Sequence, residues 1–166
     1  MNASRAAPDF IALFLGAAAL ALILGALGFE YLDRLPPCEM CMWQRYPHVA
    51  AAIVGIGGFL LVRAKLLPAS AAAPIAVFAA LLIAVSGAIG VFHAGVEWQL
   101  WKGPQACTGP LFHSAGGPLD LNAPVVRCDK AAWRLFGVSL AGYNALLSFA
   151  LAATGFVLVA RSGRNP

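Results

Sequence analysis

Between Trp43 and Val62 the chain reads WQRYPHVAAAIVGIGGFLLV, and the length of this stretch sets how many times the protein crosses a bilayer. A spanning helix needs about 20 residues, because the hydrocarbon core is roughly 30 Å thick and a helix rises about 1.5 Å per residue. The part from Pro47 to Val62 supplies only 16 uncharged residues. Counting back through Trp43, Gln44, Arg45 and Tyr46 restores the length and leaves Arg45 in the interface. Pro47 fits such a helix if it falls in the first turn, where its missing N–H breaks no ladder bond. Three further segments, Phe10 to Phe29, Ile75 to Phe92 and Leu135 to Ala160, contain no Asp, Glu, Lys or Arg. Lipid offers nothing to unpaired backbone groups, and four segments cannot close a barrel, so all four must be helical. The expected fold is all-α, an integral membrane four-helix bundle formed as one domain over residues 1–166. Spans are expected at about 10–29, 43–62, 75–93 and 135–160, joined on one side by loops at about 30–42 and 94–134.

Composition points the same way. Of 166 residues, 61% are hydrophobic and 11% charged, against roughly 25% charged in a typical soluble domain. So few charges exclude a soluble enzyme, a disordered tail and a basic DNA-binding domain. The net charge of +4 comes without a Lys/Arg run or zinc-finger spacing, so no nucleic-acid partner is expected. Asymmetry across a membrane accounts for it. Arg5, Arg63, Lys65, Arg161 and Arg164 share the side of the termini with one acid, Asp9. The other side carries six basic and six acidic residues over about twice the length. By the positive-inside rule the termini are cytoplasmic and the two longer loops face outward. The first apolar run, 20 residues, exceeds the 7–15 of a signal-peptide core, so it is read as a span and not a cleaved leader.

All four cysteines fall in the outward loops: Cys38 and Cys41 in a C-E-M-C motif, Cys107 and Cys128 in the longer loop. An even count on an oxidising face reads as two disulfides. Haem attachment needs a histidine after C-x-x-C, and Met42 stands there. Structural zinc wants a second close pair, which 107 and 128 do not form, so no metal is expected. Inert structural disulfides remain an alternative. Against inertness, a C-x-x-C ring is small, and a helix N-terminus favours the thiolate. Arg45 lies four residues after Cys41, one turn on if the helix has begun, where it would stabilise a Cys41 thiolate or an anionic ligand. A snorkelling interfacial arginine is the plain alternative.

These residues carry a resemblance. The motifs CEMCMWQRYPH at 38–48, FHAGVEW at 92–98 and RCDKAAWRLFGVSLAGYN at 127–144, with four spans in matching order, resemble the bacterial disulfide bond formation protein B (DsbB) family. That resemblance implies a quinone-linked thiol oxidase of the bacterial inner membrane, multi-pass, with its redox loops in the periplasm. It implies disulfides Cys38–Cys41 and Cys107–Cys128. Cys107 matches the cysteine that forms a mixed disulfide with a soluble thioredoxin-fold oxidant of the DsbA type, and Cys128 the one that exchanges with Cys38. Cys41 matches the cysteine that attacks the quinone (ubiquinone or menaquinone), Arg45 the arginine beside it, and His93 a histidine near the quinone site. Trp43, Tyr46 and Trp98 are read as flanking the ring or, more simply, as an interfacial aromatic belt. The Gly- and Pro-rich second loop is expected to lie on the membrane surface as an extended, mobile strip. Two rival classes are a reductase resembling vitamin K epoxide reductase and a non-catalytic membrane scaffold with structural disulfides.

Overall fold

A computed structural model, which describes residues 7–108 and 126–163, is a bundle of four long helices. They are α1 (Pro8–Tyr31), α2 (Glu39–Arg63), α3 (Ala72–Glu97) and α5 (Leu140–Ser162), each long and apolar enough to cross a membrane. A 3₁₀ turn at Ala69–Ala71 leads into α3, and a short α4 (Gln105–Thr108) follows it. Strands β1 (Arg134–Leu135) and β2 (Val138–Ser139) form a small hairpin before α5. Arg5, Arg164 and most of the Gly- and Pro-rich strip lie outside the described residues.

The helix ends have local causes. Pro8 sits in the first turn of α1, where no N–H is needed, and Asp9 beside it complements the helix dipole. At α2 the cap is Cys38 itself, whose sulfur accepts the Cys41 N–H at 3.1 Å. This cap starts α2 at Glu39 instead of 43, which places Pro47 inside the helix and not in its first turn. In the turn the proline disrupts, the Gln44 carbonyl accepts from Ser86 Oγ at 2.8 Å. The last helix begins at Leu140, not 135, because Phe136 and Gly137 both have positive φ, 49° and 80°. Two consecutive left-handed residues make a tight hairpin turn and cannot continue a right-handed helix. Ser139 then caps α5 by accepting the Gly142 N–H at 3.2 Å.

The side chains are distributed as a lipid solvent dictates. Large apolar groups such as Phe14, Leu24, Ile53, Phe78 and Leu146 are exposed on the outside. The interior is mostly small, with Ala19, Ala51, Ala76, Ala79, Ser86 and Ser148 buried around a few larger groups, Ile11, Leu15 and Ile83. With tails as apolar as leucine around it, a bundle gains little by hiding large side chains and much by letting backbones approach. A close backbone approach joins α1 and α2. A Cβ on Gly55 would lie 2.5 Å from the Ala12 carbonyl and 2.8 Å from Gly16 Cα. At the end that carries the termini, Arg63 pairs with Asp9 at 3.7 Å and stacks over Phe10. The cysteines lie at the opposite end. Gly55→Val should therefore destabilise the bundle by about 1–3 kcal/mol, the usual cost of overpacking. Gly57→Ala, whose Cβ meets nothing within 4 Å, should be neutral or mildly stabilising. Thermal unfolding in detergent checks both; equal melting temperatures would remove the Gly16–Gly55 contact from the account.

Candidate functional site

Helix α2 presents its head to the far end of the bundle, and the site is built on it. Cys38, in extended conformation at the cap, is buried, whereas Cys41 in the first turn is half-buried. Both are thiols here, without the bond between them that the resemblance implied. The second pair, Cys107 on α4 and Cys128 after the loop, is joined as a disulfide, and the Cys128 N–H also donates to the Cys107 carbonyl at 3.0 Å. Arg127 grips Asp129 through two bonds of 2.8 and 2.7 Å and reaches the Thr108 carbonyl, so it ties the two sides of the loop together. Its guanidinium holds the Asp129 carboxyl below the usual carboxylate range.

The two pairs meet. Cys38 Sγ, Cys128 Sγ and a ring nitrogen of His93 lie within 4.8 Å of one another. Cys41 and Cys107 pack against the same small cluster with Met40 and Val96. With its sulfur bonded to Cys107, Cys128 offers a metal no thiolate in this state, so the group is first of all a place for sulfur exchange. The neighbouring Cys41 sulfur and burial push the Cys38 thiol well above the ordinary thiol range, opposed by the amides of Cys41 and Met40.

His93, near the end of α3, is buried, with Nε2 at 3.6 Å from Cys38 Sγ and 3.7 Å from Glu97 Oε1. Its Nδ1 meets Gln44 Nε2 at 2.8 Å. Arg45, one turn beyond Cys41, forms an ion pair with Glu30 of α1 and reaches the Ala26 carbonyl at 3.4 Å. Sequence reasoning placed Arg45 at this site without its partner. Glu30 ends the first apolar run, and that position was the signal that could have found it.

Beside these residues, between α1, α2 and α5, lies a cavity of about 450 Å³. Its walls include Leu22, Phe29, Leu147 and Trp133, and its polar lining includes Cys41, Gln44, Arg45, His48, His93 and Glu97. Two of these carry buried atoms with no partner among the described residues, His48 Nδ1 and Glu97 Oε2. Of the two readings of the aromatics, ring-flanking falls to a different set of residues, and the exposed positions suit a belt. Trp43 packs on the cysteine cluster, and Tyr46 and Trp98 are largely exposed, while Phe29, Trp133 and Tyr143 form the row at the cavity. Phe29 and Trp133 are 5.2 Å apart, Trp133 and Tyr143 6.1 Å. The hairpin brings Trp133 there, with Tyr143 OH donating to the Leu135 carbonyl at 3.1 Å. An unbroken helix from 135 could not have shown this.

Comparison with known proteins agrees with this geometry. The family model described as "Disulfide bond formation protein DsbB" matches residues 8–158. A disulfide bond formation protein B of a Polaromonas species is 31% identical over 170 residues, covering 96% of this chain and 95% of its own. That of Aromatoleum aromaticum is 32% identical over 161 residues, covering 90% and 92%. No solved structure matches the chain. With four membrane-spanning helices, a bonded cysteine pair against a dithiol pair, and a family match over nearly its whole length, the chain belongs to the DsbB family of thiol oxidoreductases that form disulfide bonds.

Proposed function

We propose that the protein reoxidises a periplasmic thioredoxin-fold dithiol oxidant of the DsbA type and delivers the electrons to a membrane quinone. The observation that carries this reading is the close approach of Cys38 to Cys128, since it links an outer cysteine pair to one beside a membrane cavity. The reading places the protein in the bacterial inner membrane, termini in the cytoplasm and both redox loops in the periplasm.

The order of exchange follows from which sulfurs can reach what. Cys107, on the loop side, is attacked by a thiolate of the soluble partner; the Cys107–Cys128 bond breaks and a mixed disulfide forms. The partner's second thiolate then closes its own disulfide, leaving Cys107 and Cys128 as thiols. Cys128, as thiolate, attacks Cys38 of a Cys38–Cys41 disulfide, and Cys107 resolves the resulting bond. Two electrons and two protons pass inward, and Cys107–Cys128 is restored with Cys38 and Cys41 reduced. This is the pairing in the structure.

The cavity suits a quinone by its apolar and aromatic walls, its cation and its two unpartnered buried polar atoms. Cys41, Arg45, His48, Phe29 and Trp133 would hold it, and when bound it supplies a sink for two electrons. Cys41 would be the sulfur facing it, and Cys38 would close the Cys38–Cys41 disulfide when the pair is reoxidised. Arg45, in lipid-protected surroundings, favours the anionic forms of neighbouring groups, and Glu30 keeps its guanidinium at that depth.

Purified protein given ubiquinone or menaquinone and a reduced thioredoxin-fold substrate should reduce the quinone. Cys38→Ala and Cys41→Ala should each abolish turnover, and unchanged rates in either variant would overturn the reading. A reduced partner whose second cysteine is replaced by Ser should attack the Cys107–Cys128 bond of the unaltered chain and stay joined to Cys107, detectable by mass; no adduct would remove Cys107 from the relay. Arg45→Ala should raise the quinone KM by roughly tenfold, the worth of a charge-assisted hydrogen bond. Single-turnover exchange with the soluble partner should change little, and an unaltered KM would return Arg45 to a structural role with Glu30.

A further inference from the structure

The hydrogen bonds behind Cys38 have a direction that can be worked out from their acceptors. Gln44 Nε2 lies 3.1 Å from the Met40 carbonyl and 2.8 Å from His93 Nδ1. A carbonyl oxygen only accepts, so the amide nitrogen of Gln44, and not its oxygen, must face this side. Its two hydrogens go to Met40 and to His93. Nδ1 is then an acceptor with no place for a proton, and the neutral ring carries its hydrogen on Nε2. The neighbours of Nε2 are Cys38 Sγ and Glu97 Oε1, both able to accept, and the ring also meets the Cys128 backbone carbonyl, which shares its hydrogen with the sulfur.

The next residue inward is pinned in the same way. Asn144 Nδ2 is 3.2 Å from the Ser86 carbonyl, an obligatory acceptor, and 2.9 Å from Gln44 Oε1. Its Oδ1 therefore accepts, from His48 Nε2 at 2.9 Å and from Ser148 Oγ at 3.3 Å. That leaves His48 Nδ1 bare, consistent with its lack of a partner among the described residues. The row runs His48, Asn144, Gln44, His93, Cys38, and every donor in it points toward the sulfur. Such head-to-tail chains polarise one another in a low-dielectric interior.

We propose that Gln44 is a positioning residue that locks His93 as a hydrogen-bond donor to Cys38, so that the buried chain from α5 stabilises this sulfur as a thiolate. Together with the Cys41 N–H, the His93 donor gives the Cys38 anion two partners whenever it attacks or departs. The charged and titratable groups facing this end are Glu97 on α3, Cys41 and Arg45 (paired with Glu30) on α2, and Arg127 (paired with Asp129), Lys130 and Arg134 beyond the loop. For its role in turnover the proposal rests on the thiol-oxidase reading, but its test uses neither quinone nor partner, so the two can fail separately.

Nitrogen-15 NMR of the His93 ring in the full chain should show Nε2 protonated and Nδ1 bare. Gln44→Glu, close in size but offering Nδ1 an acceptor, should bring a proton onto Nδ1. In a full-length chain with Cys41, Cys107 and Cys128 replaced by Ser, thiolate ultraviolet absorbance reports Cys38 alone. There His93→Phe should raise the titration midpoint by about one pH unit, the effect of one lost donor to the anion, and Gln44→Met should raise it in the same direction by less. A purely structural Gln44 would lower the melting temperature of Gln44→Met and leave that midpoint where it was. An unmoved midpoint, a proton on Nδ1 in the unaltered chain, or a bare Nδ1 in Gln44→Glu overturns the proposal.

Discussion

The bundle depends on Gln44 finding partners on two other helices. Its amide donates to His93 on α3 and accepts from Asn144 on α5, while its own carbonyl takes the Ser86 hydroxyl. In lipid such a group has no water to fall back on, and an unpaired buried amide costs a few kcal/mol. Alternative packings of α2 against its neighbours are therefore penalised, although the polar bonds themselves contribute modestly. A sheath of exposed leucine and phenylalanine cannot supply that selectivity, since it looks the same to lipid at any rotation. The polar row fixes rotation, and small residues such as Gly16 and Gly55 then set the distance.

Fixing the rotation of α2 also fixes the chemistry. Cys38, Cys41, Gln44, Arg45 and His48 occupy successive turns, so turning the helix moves all five together. In the observed register Gln44 and His48 face the interior, Arg45 faces Glu30 on α1, and Cys38 meets the loop that carries Cys128. Pro47 belongs to the same arrangement. Its missing N–H leaves the Trp43 carbonyl without its ladder bond, one residue before the Gln44 carbonyl that Ser86 takes from the neighbouring helix.

Four apolar segments, an even cysteine count and a C-x-x-C at a helix head were legible because each is local. Length against bilayer thickness gives the spans, and residue spacing puts Arg45 one turn beyond Cys41. What the sequence hid was set by other things. The start of α2 depended on a sulfur acting as the cap, outside the common capping residues Ser, Thr, Asp and Asn. The hairpin at 134–139 was masked by an uncharged run in which hydropathy alone sees a helix, although Phe136-Gly137 supplied a turn signal. Glu30, Gln44 and Asn144 were invisible as site residues because their meaning lies in pairings across 15, 49 and 100 positions of sequence.

Division of labour between Cys38 and Cys41 follows from the geometry of a helix start. The cap residue keeps extended backbone angles, φ −78° and ψ 169°, so its side chain leaves the helix axis toward the loop. Three residues later the chain is helical, and Cys41 falls on the face that continues one turn on to Arg45 at the cavity. Both sulfurs line the cavity and belong to one cluster, but Cys38 is the one that comes close to Cys128 and Cys41 the one a turn from Arg45. On the proposed reading, a motif of four residues is enough to join a water-facing reaction to a lipid-facing one, provided its first cysteine caps the helix.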